Sequence, residues 1–234
     1  MKDLFGKAIL DFQTNNNPKN ISTETNISES DVMEISYLFR NFNAMPKLEQ
    51  IALEKSYGKV LDVGCGAGSH SLYLQNEKKL EVSAIDISVN SINACRLRGI
   101  LNCRVENILD CQEQFDTILL LMNGTGIFEN LNNAPKYLTK LKSLLNPKGQ
   151  ILIDSSDLIY MFDDDEDGGK WIPGDKYYGE LEFTIRYKSE TEVPFSWLYL
   201  DFDRLQNLCE SMNLNCNIVA NGENFDYLAQ ITLK

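Results

Sequence analysis

The chain has 234 residues, 43% of them hydrophobic and 24% charged, a balance that suits a folded globular domain and excludes wholesale disorder. Its 34 acidic residues against 22 basic give a formal charge of −12, so the basic face needed to bind nucleic acid or an anionic membrane is not expected. No apolar run reaches the roughly 18 residues of a membrane span. The N-terminus shows no sustained apolar stretch or small-residue cleavage site, which makes the cytoplasm the expected location.

Residues 11–31 are polar, rich in Asn, Ser and Thr, and carry Pro18; they read as a loop or partly ordered lead segment. Val32, Ile35, Leu38 and Phe39 then recur at helical spacing, and Pro46 opens a second helix carrying Leu48, Ile51, Ala52 and Leu53. A regular alternation follows. Strands are predicted at Lys59–Val63, 81–87, 102–106, 115–122 and 150–154, with helices at 69–75, 91–97 and 134–145 between them. The near-continuous apolar run 115–122 fits a central strand buried on both faces. Asn146-Pro147-Lys148-Gly149 reads as a turn ending the third of these helices. This order predicts an α/β doubly wound, mostly parallel sheet with right-handed crossovers.

After Asp154 the rhythm breaks. Leu181, Phe183, Ile185 and Tyr187 alternate with Glu182, Thr184, Arg186 and Lys188, the pattern of a half-buried strand. Residues 202–212 return to helix, and 217–220 and 228–233 form a closing antiparallel pair around Asn221-Gly222. The six cysteines, Cys65, Cys95, Cys103, Cys111, Cys209 and Cys216, contain no C-x-x-C pair; they read as small apolar fillers, not as a zinc or redox motif.

The sharpest motif is Asp62-Val63-Gly64-Cys65-Gly66-Ala67-Gly68, between a strand and a helix. Glycines permit a tight turn and a close backbone approach, and the helix start offers free N–H groups; a nucleotide-like cofactor suits such a loop. The dinucleotide fingerprint G-x-G-x-x-G would place its last glycine at position 69, which is Ser here. The strand 82–86 ends in Asp86, 22 residues after Gly64. Phe115-Asp116 opens the next central strand, and Leu144-Leu145-Asn146-Pro147-Lys148-Gly149 leads into the one after it. These four motifs, in this order over about residues 55–154, resemble the class I S-adenosylmethionine-dependent methyltransferases of the small-molecule type.

The resemblance implies a Rossmann-like seven-stranded sheet with an antiparallel last strand. It implies S-adenosyl-L-methionine as cofactor and S-adenosyl-L-homocysteine as product. Carried over by position, Gly64, Cys65, Gly66 and Gly68 line the methionine and ribose part, and Asp62 sits near the methionine amino group. Asp86 binds the ribose and Ile87 packs on the adenine. Asn107, where the family often has Asp, lies with Ile108 beside the adenine edge, and Met122 and Asn123 face the reactive sulfonium. The domain reading is an N-terminal segment, helical or loop, at 1–56 over the active site, and a methyltransferase domain at 57–234 with a substrate-cap insert at 155–199.

The expected reaction is direct displacement onto a small-molecule acceptor whose nucleophilic atom (O, N, S or C) stays open, with no metal required. His70, Asn123 and Tyr178 are the candidate catalytic residues, and Asp154 and Asp157 are further possible bases. His70 reads equally as a packed helix-start histidine. Arg40 reads as a partner for a cofactor or substrate carboxylate, or as one half of a surface ion pair. The run 163–167 matches only the first half of a calcium loop, since its twelfth position is Gly174. The insert carries eleven acidic residues against four basic, an acidic entrance suited to neutral or cationic acceptors. Competing functions are a non-catalytic S-adenosylmethionine-binding protein and an NAD-dependent oxidoreductase. A monomer and a homodimer fit equally.

Overall fold

The computed structural model describes residues 2–162, 170 and 176–234. The acidic run 163–167, Trp171 and Gly174 lie outside the described residues. Helix α1 (Leu4–Gln13) opens the chain, followed by strands β1 (Ile21–Thr25) and β2 (Ser28–Met33) and helix α2 (Lys47–Lys55). The alternating part is β3 (Lys59–Val63), α3 (Ser69–Asn76), β4 (Glu81–Asp86), α4 (Val89–Leu97), β5 (Cys103–Val105), β6 (Phe115–Leu120), α5 (Ala134–Ser143) and β7 (Leu145–Ser156). Then come β8 (Glu180–Tyr187), β9 (Glu190–Thr191), β10 (Phe195–Leu198), α6 (Phe202–Ser211), β11 (Leu214–Asn221) and β12 (Asp226–Leu233).

Seven strands form the main sheet in the order β11-β12-β7-β6-β3-β4-β5. The neighbours from β7 to β5 are parallel, while β12 runs antiparallel to both β7 and β11. The apolar runs explain its burial. Ile118 and Leu120 of β6 and Ile151 and Ile153 of β7 pack with Leu138, Leu141 and Leu205 of α5 and α6. Their alternates Leu119 and Leu152 pack on the other face with Ala52, Leu53 and Leu74 of α2 and α3. A strand residue points to one face and its neighbour to the other, so a sheet covered on both faces needs unbroken apolar strands.

Two expectations are corrected. Residues 21–25 and 28–33 are strands, not loop, and Val32 is exposed on an edge strand instead of lying on a helix face. Their pairing comes from far along the chain: β1 lies antiparallel to β8, with Ile21 opposite Tyr187 and Thr23 opposite Ile185. Together β10, β8, β1 and β2, with β9 beside β8, form a second sheet. The N-terminal segment and the insert therefore share one structure. In addition, 146–149 does not interrupt β7; the strand carries it through a register shift against β6, with Lys148 at φ 67°.

Candidate active site

The chain leaves the centre of the main sheet in both directions between β3 and β6, and ligands of doubly wound sheets settle outside the carboxyl ends of the strands at that point. The glycine loop lies there. Gly64 and Cys65 donate their N–H groups to the Ile85 carbonyl at 2.9 and 3.1 Å, which ties the loop to β4. Gly64 and Gly66 have φ of 69° and 52°, a region closed to most side chains. A Cβ on Gly66 would meet only Ile9 of α1 at 3.9 Å and the Gly64 carbonyl at 4.0 Å, both ordinary contacts, so the space above the loop is open to a ligand. Gly68 differs: a Cβ there would overlap Ile100 and meet Cys95 Sγ at 3.0 Å. Its missing side chain is needed for packing on the region of α4.

Asp86 ends β4 beside this loop. Its two oxygens accept the Gly66 N–H at 2.9 Å and the Ser88 N–H at 2.8 Å. Burial pushes its carboxyl above the ordinary range against those two bonds. A carboxylate has about four acceptor sites, so two remain for hydroxyl groups of a ligand. Ile87, the next residue, is 62% exposed and offers an apolar surface. Asn107 accepts the Leu109 N–H and starts a short turn in which Ile108 is buried. Loop, carboxylate and exposed apolar side chain fit a nucleoside bearing a ribose diol. Asp62 is buried at the end of β3; it accepts the Ser71 hydroxyl at 2.5 Å, and burial raises its carboxyl.

His70 follows the loop in the first turn of α3 and is buried. Its Nε2 lies 2.7 Å from Glu49 Oε2, and Arg40 Nη2 reaches both oxygens of Glu49 at 2.5 Å. Burial opposes the charge on His70, but the bond to Glu49 and the Asp62 charge outweigh it, and the ring is held protonated above its usual range. Burial also opposes the charge on Glu49, and His70 and Arg40 together pull its carboxyl below the usual range. Arg40 also donates from Nη1 to the Tyr37 carbonyl at 2.6 Å, while its Nε is buried with no partner among the described residues. Glu49 was not singled out in the sequence. The available signal was an acid next to Leu48 on the apolar face of α2.

At the end of β6 the chain turns sharply. Met122 and Asn123 both have positive φ, 67° and 61°, which is backbone strain of the kind that collects at functional sites. The turn wraps Asp154 at the end of β7, which accepts the Met122 N–H at 3.0 Å and the Gly124 N–H at 2.9 Å. The Asn123 amide is committed to the Leu198 carbonyl at 3.3 Å and the Ser155 hydroxyl at 3.0 Å. Tyr178 is separate from this group. Its hydroxyl donates to Asp157 at 2.8 Å and lines a cleft of about 730 Å³ with Asp201, Asp203, Glu223, Asp226 and Arg204. His70 and Tyr178 thus lie on different sides of the sheet's centre, beyond β3 and beside β12 respectively.

The second sheet and α1 cover this edge. Ile9, Ile185 and Tyr187 pack together with Ala67 of the loop and with Met122. Trp197 of β10 occupies the space where Gly126 would carry a Cβ. Ser69 donates its hydroxyl to the Leu38 carbonyl at 2.7 Å.

Fold and site define a doubly wound α/β protein whose first glycine loop suits a nucleoside-type cofactor. The family model described as a methyltransferase domain matches residues 54–224. The chain is 42% identical to an S-adenosylmethionine-dependent methyltransferase from Bacteroides fragilis, solved in complex with S-adenosyl-L-homocysteine, over 99% of this chain and 95% of that one, with a TM-score of 0.91. An amino pentose methyltransferase from Micromonospora echinaspora shares the fold at 12% identity and a TM-score of 0.59, over 88% of this chain and all of that one. A sugar N-methyltransferase from a Streptoalloteichus species does so at 14% identity and a TM-score of 0.60, over 88% of this chain and 96% of that one. No curated protein matches. The chain belongs to the class I S-adenosylmethionine-dependent methyltransferases. It is an enzyme whose methyl donor is S-adenosyl-L-methionine, as the sequence motifs implied, and not an NAD-dependent oxidoreductase. Among the described residues no helix is long and apolar enough to cross a membrane.

Proposed function

We propose that this enzyme methylates a small, neutral or cationic molecule in a space enclosed between the carboxyl ends of β6 and β7 and the second sheet. The observation that carries this reading is the cover. Strands from the N-terminal segment and from the insert are joined over the catalytic edge, and Trp197 is packed against the turn after β6. A covered site takes a small acceptor more readily than a polymer. The acidic cleft beside β12 supports the charge preference, with Arg204 its one cation against five carboxylates in the described lining.

In this reading the N-terminal segment and the insert act as a single cap on a methyltransferase domain spanning 57–234. The donor supplies a methyl group on a positively charged sulfur. Gly64 and Gly66 let the backbone approach it, Cys65 lies between them, and Asp86 takes the ribose hydroxyls with Ile87 against the adenine. Asn107 and Ile108 border the adenine edge, Asp62 lies toward the methionine amino group, and Met122 and Asn123 lie toward the sulfonium. His70 is a positioning residue: its bond to Glu49 ties α3 to α2 and fixes the helix that the glycine loop enters. Tyr178 serves the acceptor side, with its hydroxyl held by Asp157. The reaction needs the acceptor held in line with the methyl group and water kept out, and the cap meets both needs.

The test has two parts. Calorimetry with S-adenosyl-L-homocysteine on Asp86→Ala should show a loss of about tenfold or more in affinity; unchanged affinity overturns the ribose assignment. Release of S-adenosyl-L-homocysteine is then followed against panels of small amines, alcohols and acids, and against RNA and unfolded protein. Turnover confined to the polymers overturns the acceptor class. Turnover with anionic small molecules alone overturns the charge preference.

A further inference from the structure

The catalytic edge contains one carboxylate in an unusual setting. At the carboxyl ends of β6 and β7, Glu129 accepts from the Asn133 amide and the Tyr137 hydroxyl, and Asp157 accepts from the Ile159 N–H and the Tyr178 hydroxyl. Asp154 has neither a cation nor a side-chain donor among the described residues; only the backbone N–H groups of Met122, Asn123 and Gly124 reach it. A desolvated carboxylate with no counter-charge is costly to keep and is commonly found where a proton must move. The strained turn fixes its position, and of a carboxylate's roughly four acceptor sites three face backbone N–H groups, which leaves room for a further donor.

Three other groups bear on it. Glu49 acts on it by charge from α2, and Tyr199, ahead of α6, and Tyr227 of β12 lie within the reach of its charge. Glu49 is kept ionised by His70 and Arg40. Burial pushes the Tyr199 hydroxyl up to about 12, so it stays protonated. Burial likewise pushes the Asp154 carboxyl up to about 6 against the pull of the backbone N–H groups, with Glu49 adding repulsion. Near neutral pH, Asp154 is thus ionised and more basic than an ordinary aspartate.

We propose that Asp154 takes the proton from the methyl acceptor, and that the acceptor atom is accordingly an amine nitrogen or a hydroxyl oxygen, not a carboxylate or a thiolate. The inference rests on the reading above, in which the donor lies on the glycine loop and its reactive carbon faces the turn after β6. The acceptor's lone pair forms the bond to the methyl carbon while the carbon–sulfur pair stays on sulfur. The proton displaced from nitrogen or oxygen passes to an Asp154 oxygen and later to solvent. An acceptor that is already an anion needs no base, and a carboxylate would meet the charge of Asp154.

The test uses sinefungin, an analogue of the donor with a protonated amine at the position of the sulfonium methyl. Its affinity is compared with that of S-adenosyl-L-homocysteine by calorimetry between about pH 5 and 8, on the wild type and on Asp154→Asn. Both ligands carry the same adenosine and amino-acid ends, so their ratio reports on the methyl position alone. For a carboxyl group titrating near 6, the ratio should rise about tenfold over this range in the wild type. It should be flat in the variant, whatever its absolute affinity for S-adenosyl-L-homocysteine. A flat ratio in the wild type overturns the proposal, and this arm needs no variant to fold. The same rise in Asp154→Asn overturns it too and assigns the titration to another group. Failure of S-adenosyl-L-homocysteine to bind the wild type is a different result and refutes the donor site itself.

Discussion

Replacing Glu49 by Ala removes the shared partner of two buried cations. The side chains of Arg40 and Glu49 are each 5% exposed and that of His70 is 10% exposed, so neither cation regains water when the carboxylate is lost. Breaking one side of a buried ion pair costs about 3–5 kcal/mol, most of it the penalty of the charge left behind. At roughly 2–4 °C per kcal/mol for a domain of this size, the expected fall in Tm is roughly 6 to 20 °C. The pH dependence follows from the two shifts. Glu49 lies below its ordinary 4.5, so its contribution is present above that value and lost as pH falls through the lowered pKa. His70 lies above its ordinary 6.5, so its contribution is present below that value and lost as pH rises through the raised pKa. The deficit of Glu49→Ala is therefore largest between pH 4.5 and 6.5 and shrinks on either side. Thermal unfolding followed by circular dichroism across pH, at low salt and in about 0.5 M salt, measures it. Salt should change the deficit little, because buried pairs are weakly screened. A loss below about 1 kcal/mol, or one that vanishes in salt, would mean that the pair behaves as a surface ion pair and would refute the reasoning.

Three further outcomes are expected. Gly68→Ala combines a φ of 79° with overlap on Ile100, and should destabilise the fold by about 2–5 kcal/mol in chemical denaturation; a neutral effect would contradict the packing role. Gly126→Ala should displace Trp197 from the turn after β6, which intrinsic fluorescence would report as a shift to longer wavelength with little change in S-adenosyl-L-homocysteine affinity; an unchanged spectrum would argue against the contact. Because the carboxyl of Asp154 is raised from 3.8 to about 6, its ionisation weakens the fold as pH rises through that interval. Asp154→Asn should accordingly compare more favourably with the wild type in Tm at pH 8 than at pH 5, and the opposite trend would show that the carboxylate is stabilised when ionised.

Much of the main sheet was legible because its signals are local. Apolar runs such as 115–122, the closing pair around Asn221-Gly222, and the spacing of Asp62, Gly64, Gly66, Gly68 and Asp86 each report a backbone requirement met within a few residues or one crossover. β1 and β2 were not legible. Their residues are mostly polar and lack an apolar face, and they become strands only because β8 lies alongside. The glycines read as one motif also divide in space, since Gly66 borders an open approach while Gly68 is filled by Ile100 and Cys95.

The same division runs through the site. By itself the sequence determined the class of cofactor, because the glycine loop and the acid ending β4 are stereochemical demands written into a short stretch of chain. Only the tertiary structure decided that His70 and Arg40 meet on Glu49, that the N-terminal segment and the insert build one cover, and that Asp154 stands without a counter-charge among the described residues. Those facts depend on burial and on partners brought together from distant segments, and a carboxylate has no fixed basicity until its surroundings are in place.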